Sequence, residues 1–402
     1  MVADFEHVVT SRLPTFEIRG FLDLYRDLSP LLEKPCSICI DLSYPSMFGP
    51  SGMVPLIALV DHLLDRGWDI GYVPPEAGSP LATYWDSAGW RQALDDKDLP
   101  NPRSRKTYIP IVCFGDHPQL NISNKAAIDV LSTTSEYPGG VLNALEFALG
   151  EVTDNVLVHS GARGWLQVIA RPSQGTVDLV VADCGAGIPT TLRQRYPQVA
   201  SDADLLQIAT ERGTTRDASI GQGNGLAGCL RIAEALSGWM NIASRNAHFR
   251  RGDDGVVRLA SLPDFPGSIV SLTLRTSQAI NLTDALWGYT PPNAFEISHV
   301  TQSGILFILE DEQQIYGNRA TGSDLALRLK NIMNENPTES VIIDFAGIEV
   351  MSASFLDEFI AKLAARVGIA TFFKKVQLIN QSQFVEQTLN EVLNQRVRAE
   401  GS

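Results

Sequence analysis

The chain has 402 residues, 44% of them hydrophobic, which is enough for two or three domains with substantial cores. A net charge of −14 argues against a broad nucleic-acid surface, because neutralising phosphates takes an excess of Lys and Arg. The opening Met1-Val-Ala-Asp-Phe-Glu6 lacks the basic and apolar regions of a secretory leader, and no apolar run has the length to cross a bilayer, so a cytoplasmic protein with no membrane partner is expected.

Residues 1–117 read as an α/β unit. Helices are expected over residues 20–33, 51–66 and 81–94, and strands over 36–42, 69–73 and 108–114. Cys36-Ser-Ile-Cys39 has redox spacing but lies within a strand, and no second pair stands ready for zinc. Both cysteines are expected as small core residues.

Residues 118–290 carry the chemistry. Leu142, Leu145, Leu149, Val152 and Val156 make one apolar stripe of a helix. Glu151 and Asn155 are four apart and share the face beside it. A carboxylate there can deprotonate a water, and an amide oxygen can enter a Mg²⁺ shell. A solvated polar face is the plainer alternative. The strand over residues 177–182 ends at Asp183, followed by Gly185 and Gly187. That acid can accept from an amino group such as adenine's, and the glycines leave room for a flat ring. An ordinary Asp-Gly turn would look the same.

Gly221, Gly223, Asn224 and Gly225 precede an apolar helix that begins near Leu226. Backbone N–H groups at a helix start favour phosphate. Gly223 to Gly228 also fits GxGxxG, but the polar residues 211–221 before it are no strand, so a dinucleotide site is rejected. No Gly-Lys-Ser/Thr occurs, which excludes a P-loop. Gly267-Ser-Ile-Val-Ser-Leu-Thr273 is the fourth piece.

In this order the four pieces resemble the N, G1, G2 and final Gly/Thr boxes of the GHKL ATPase superfamily, which includes DNA gyrase, heat-shock chaperones, mismatch-repair ATPases and histidine kinases. The resemblance implies a Bergerat-fold α/β sandwich holding ATP and Mg²⁺ under a lid formed by residues 190–220. It implies Glu151 as general base, Asn155 as metal ligand and Asp183 as the adenine acid, with Gly185 and Gly187 beside it. It implies Gly221, Gly223 and Gly225 near the phosphates and Thr273 near adenine. Arg212, Thr214, Thr215 and Arg216 in the lid could reach the phosphates.

Residues 295–402 alternate strands (305–309, 341–345, 376–380) with helices (323–334, 353–367, 382–395), a crossover pattern. Pro291-Pro292 marks the boundary before them. Asp344-Phe-Ala-Gly-Ile-Glu-Val-Met-Ser-Ala-Ser-Phe355 is echoed by Asp41-Leu-Ser-Tyr-Pro-Ser-Met-Phe-Gly-Pro-Ser-Gly52. Both resemble the strand–loop–helix signature of STAS domains, the fold of anti-sigma-factor antagonists. The acceptor position of a phosphorylated antagonist holds Pro50 and Ala353 here. Ser51, Ser352 and Ser354 are therefore expected as helix caps. The whole is expected to be a multidomain α/β and α+β chain.

Three functions fit: an ATP-hydrolysing switch in bacterial signalling, a protein serine kinase of the anti-sigma type, or a non-catalytic ATP-binding scaffold. A protein partner is expected through the STAS-like domains, and a homodimer is allowed. An acceptor-histidine hairpin, which a histidine kinase would need, does not precede Glu151, and no γ-phosphate lysine can be assigned.

Overall fold

The computed structural model describes residues 5–95, 107–213, 225–252, 255–259, 262–291, 300–301, 304–308 and 319–400. They form two compact units. The first comprises residues 1–130, 147–276 and 285–288; the second comprises residues 131–146, 277–284 and 289–402.

The first unit begins with a small parallel sheet. Strands β1 (His7–Thr10), β3 (Ser37–Asp41) and β5 (Asp69–Val73) lie in the order β1-β3-β5. A two-residue ladder joins β2 (Thr15–Phe16) to β4 (Met47–Phe48). Helices α1 (Ile18–Leu28) and α2 (Pro50–Leu64) are the crossovers, and α3 (Pro80–Ser87) and α4 (Trp90–Asp95) follow. Almost every residue of α2 from Pro50 to Leu63 is buried, Ser51 and His62 excepted. A helix apolar all round must have neighbours on every side.

Those neighbours include a second sheet. Seven strands run in the order β11-β10-β9-β12-β8-β7-β6, all antiparallel. They are β6 (Val112–Phe114), β7 (Gly164–Arg171), β8 (Thr176–Asp183), β9 (Trp239–Arg245), β10 (Ala247–Gly252), β11 (Gly255–Leu259) and β12 (Phe265–Arg275). Helix α2 lies against β7 and β8. Leu56, Ile57 and Val60 share one core with Trp165, Val180, Ala182 and Ile269. From α1, Phe21 meets the Phe265 ring edge-on at 5.7 Å, and the Tyr25 hydroxyl donates to the Asp264 carbonyl at 2.6 Å. The strand expected at the end of the N-terminal unit is thus an edge of the central sheet: Val112 pairs with Leu166.

One charge enters this core. Asp61 of α2 is 6% exposed. It accepts from Arg163 Nε at 2.6 Å and Nη2 at 2.8 Å, and from Trp165 Nε1 at 3.3 Å. Arg163 stands just before β7, so the pair ties α2 to the loop that enters the central sheet. Burial pushes the Asp61 carboxyl up, and Arg163 pulls against that. The Cys36–Cys39 expectation splits, with both thiols free, Cys39 buried and Cys36 half-buried.

Helices α5 (His117–Thr134), α6 (Val141–Asn155), α7 (Ile188–Arg193), α8 (Asp202–Ala209), α9 (Gly225–Ala235) and the short α10 (Leu282–Ala285) complete the middle of the chain. Helix α9 packs on β9 and β12.

The second unit contains a four-stranded sheet, β13-β14-β15-β16: β13 (Val300–Thr301), β14 (Gly304–Ile308), β15 (Val341–Asp344) and β16 (Val376–Ile379). The last three are parallel. Its helices are α11 (Arg319–Glu335), α12 (Ala353–Leu356), α13 (Lys362–Val367), α14 (Ile369–Lys375) and α15 (Gln383–Glu400), with a π-turn over Asp357–Ala361 joining α12 to α13. Phe307, Leu325, Leu329, Ile343, Phe355, Phe359 and Val385 form its core.

The two sequence echoes fold alike. Asp41 ends the middle strand of β1-β3-β5, and its Oδ1 accepts from Ser43 N at 3.0 Å. Asp344 ends β15, and its Oδ1 accepts from Ala346 N at 2.9 Å. Ser51 Oγ accepts from Ile18 N, and Ser352 Oγ from Phe355 N, both at 3.1 Å. Ser352 thus caps α12 as expected, whereas Ser51 bonds the start of α1 rather than its own helix.

Candidate functional site

The helical stripe places α6 as expected, with Leu142, Leu145, Leu149 and Val152 all buried. Glu151 and Asn155 emerge beside it, both half-buried. After Asn155 the backbone widens into a π-turn, Val156–Ser160. Such turns interrupt the helical ladder and recur at functional sites. Burial, with Asp154 adding to it, raises the Glu151 carboxyl above the ordinary range. A carboxylate of raised pKa is a stronger base once ionised.

The π-turn delivers Ser160 to the end of β8. Ser160 O accepts from Ala186 N at 2.8 Å. A Cβ on Gly185 would collide with that same carbonyl, which explains glycine there. Asp183 is 3% exposed. Its Oδ1 accepts from Gly185 N at 2.8 Å, and the Ser160 hydroxyl and the Ser268 backbone N–H also face the carboxyl. Burial outweighs these donors and pushes Asp183 up to about 7. Gly187 follows with φ of 81° and starts α7.

The third element arrives with α9. A Cβ on Gly225 would collide with the Glu151 carboxylate. With glycine there, the start of α9 approaches the Glu151 side chain without displacing its carboxylate. Cys229 Sγ, 3.9 Å from Ala148 O, packs the same two helices together one turn on. Glu151 and the start of α9 are therefore neighbours, and the π-turn links the helix of Glu151 to the surroundings of Asp183.

Residues 140–276 match the family model of histidine kinase-, DNA gyrase B-, and HSP90-like ATPases. This segment is a GHKL ATP-binding domain. Residues 322–386 match a STAS-like domain of unknown function. No relative was found among curated proteins.

Within the GHKL domain one expected residue is out of place. Thr273 pairs with Asp178, five pairs along β12 from the Ser268–Asp183 pair. That is roughly 17 Å at strand rise, and the odd spacing turns Thr273 to the opposite face of the sheet. Its hydroxyl donates to Asp178 Oδ1 at 2.7 Å, and Arg171 pairs with the same carboxylate. Ser268 stands where Thr273 was expected. Its hydroxyl lies 3.0 Å from that of Ser244, which in turn donates to Gly267 O at 2.6 Å. The signal available in the sequence was position: Ser268 directly follows Gly267 at the start of the strand that partners Asp183.

The remaining lid and phosphate-side candidates divide. Arg212 lies over the Trp287 ring at 5.2 Å, and Arg231 over the same ring at 5.6 Å. Leu226 packs on the small cluster of Leu192, Leu205 and Ala209. Thr214, Thr215, Arg216, Gly221, Gly223 and Asn224 lie outside the described residues.

The donor set fits a magnesium nucleotide. Among the described residues no group of three or more His, Cys, Asp or Glu could hold a metal alone. Mg²⁺ in nucleotide sites takes one or two protein oxygens and completes its shell with phosphate and water. Asn155 would offer one amide oxygen, and its Nδ2 is buried without a protein partner. No helix among the described residues is long and apolar enough to cross a membrane.

Proposed function

We propose that the protein binds MgATP between α6, the end of β8 and the start of α9, and hydrolyses it as a conformational switch. The close approach of Gly225 to the Glu151 carboxylate carries this reading, because it sets a candidate base against the helix start that would receive phosphate. Asp183 accepts the adenine amino group. Asn155 holds the metal, which when bound polarises the terminal phosphate. Glu151 orients and deprotonates the attacking water, and its raised pKa suits that task.

The flanking units read the nucleotide state. The N-terminal unit repeats the strand order and the Asp turn of the C-terminal one, which supports a second STAS-like fold there. A protein partner recognised through these domains, in a bacterial signalling setting, is the role that follows. Ligand-driven switching requires that MgATP bind one state more tightly than the other.

Labelled ATP with Mg²⁺, incubated with the protein with and without cell extract, tests the reading. Free phosphate is the expected product. Label on a protein would favour a serine kinase, and intact ATP would leave a scaffold.

A further inference from the structure

The N-terminus of α6 lacks a cap of its own. The residue before the helix is Gly140, which has no side chain to offer its first N–H groups. A free helix start leaves such groups unsatisfied. Here the missing acceptor comes from 195 positions further along the chain. Glu335, the last residue of α11, accepts from Gly140 N through Oε2 and from Leu142 N through Oε1, both at 2.9 Å. A carboxylate at a helix N-terminus also meets the positive end of the helix dipole.

Glu335 is the end of a clamp. Asn331, one turn earlier and 1% exposed, donates to Ser132 O and Ser135 O at 2.8 Å and accepts from Tyr137 N at 2.7 Å. Asn334 Nδ2 donates to Tyr137 O at 2.8 Å. Six hydrogen bonds from three side chains of one helix thus grip the backbone from the last turn of α5 to the first turn of α6. A Cβ on Gly139 would come within 2.8 Å of Asn334 O, so the two backbones are in contact there. All these groups belong to the second unit, and α11 lies largely within the STAS-like match.

We propose that Glu335 is a positioning residue for the reaction centre. It fixes the start of α6, and that helix runs unbroken from Val141 to the side chains of Glu151 and Asn155. A shift or rotation of the helix start is passed along a stiff rod to both. The STAS-like domain thereby sets the geometry of the base and the metal ligand while leaving the adenine acid, which stands on β8, alone. A partner that loosens α11 slows turnover without displacing nucleotide. This inference rests on the nucleotide reading above.

The test uses the full-length chain. Hydrogen exchange by mass spectrometry is compared for wild type, Glu335→Ala and Glu335→Gln, beside ADP affinity without magnesium and the rate of phosphate release from MgATP. In Glu335→Ala, faster exchange should extend from residue 141 through residue 155 while peptides of β8 keep their protection. Phosphate release should fall about tenfold or more, since misplacing catalytic groups by about 1 Å can cost about 10²-fold. ADP affinity should stay within about twofold, because Asp183 is untouched. Glu335→Gln, which keeps an acceptor oxygen, should recover part of the rate. Unchanged exchange at 151–155, or unchanged phosphate release, overturns the inference. Loss of rate and ADP affinity together, with faster exchange throughout the chain, marks a general structural role and overturns it too. Wild-type protein that binds neither ADP nor MgATP overturns the nucleotide reading itself and this inference with it.

Discussion

Ser268 pairs directly with Asp183 across the β8–β12 ladder, and its backbone N–H faces the buried carboxyl. With Gly185 and Ser160 it makes a ring of donors around an acid that burial still holds at about 7. Below that pH the carboxyl is protonated; above it, it is an ionised acceptor. Calorimetric ADP affinity should therefore strengthen as pH rises through about 7. Asp183→Asn should abolish this dependence and weaken binding by about 1.5–3 kcal/mol, the worth of a hydrogen bond to a charged group. Equal wild-type affinity on both sides of pH 7 would refute the assignment.

Glu151→Gln keeps the size of the side chain and removes the base. MgATP should still bind, and phosphate release should drop by about 10²–10⁴-fold, the usual share of general base catalysis. A release assay showing wild-type rates in the variant would remove Glu151 from the mechanism.

Thr273→Ala is the converse case. Thr273 serves the Asp178–Arg171 pair on the far face of the sheet, so nucleotide affinity should stay within about twofold while stability falls by about 1 kcal/mol. The loss is small because Arg171 still satisfies Asp178. Urea unfolding and ADP calorimetry on one preparation separate the two effects, and a large affinity loss at wild-type stability would restore Thr273 to the site.

These two strands show where the sequence was readable and where it was not. Helix α6 announced itself through a periodic stripe, and β8 through an apolar run, interrupted at Asp178, that ends in an acid. The same logic failed for β7, where Trp165 and Leu166 are buried on opposite faces and no alternation survives. Helix α2 is apolar on every side and so demands packing partners on every side, one of which is the central sheet. Thr273 was placed by its box, but strand parity decides which face a residue serves. The Glu335 clamp could not be seen locally, because the cap and the helix it caps lie far apart in the sequence.

His248, 8% exposed, has neither ring nitrogen hydrogen-bonded, and burial with Arg250 nearby lowers it from 6.5 to about 4. The unfolded chain therefore binds a proton between these pH values that the folded chain refuses. Stability due to His248 is complete above 6.5 and lost as pH falls toward 4, to about 3 kcal/mol. Asp183 opposes it, since its raised pKa favours the folded state at low pH and less as pH rises through about 7. The clean measurement is the stability difference between His248→Phe and wild type across pH. It should shift in favour of the variant as pH falls through that window; a flat difference would contradict the burial argument.

Asp61→Ala should destabilise the first unit by about 3 kcal/mol, the lower end for a broken buried pair, because Arg163 keeps some access to water. The double variant Asp61→Leu with Arg163→Met should recover much of that loss, since an apolar pair carries no desolvation cost. Thermal denaturation of the three proteins decides it, and a double variant weaker than Asp61→Ala alone would show that the charge pair contributes more than it costs.

The apolar helix α2, lodged between two sheets, also bears on how such a chain can evolve. A recombination event that moved only residues 140–276 into another gene would carry over Trp165, Val180, Ala182 and Ile269 stripped of their cover. The fragment would expose this apolar surface and be prone to aggregate. Descent should therefore transmit the leading segment and the central sheet as a single heritable block.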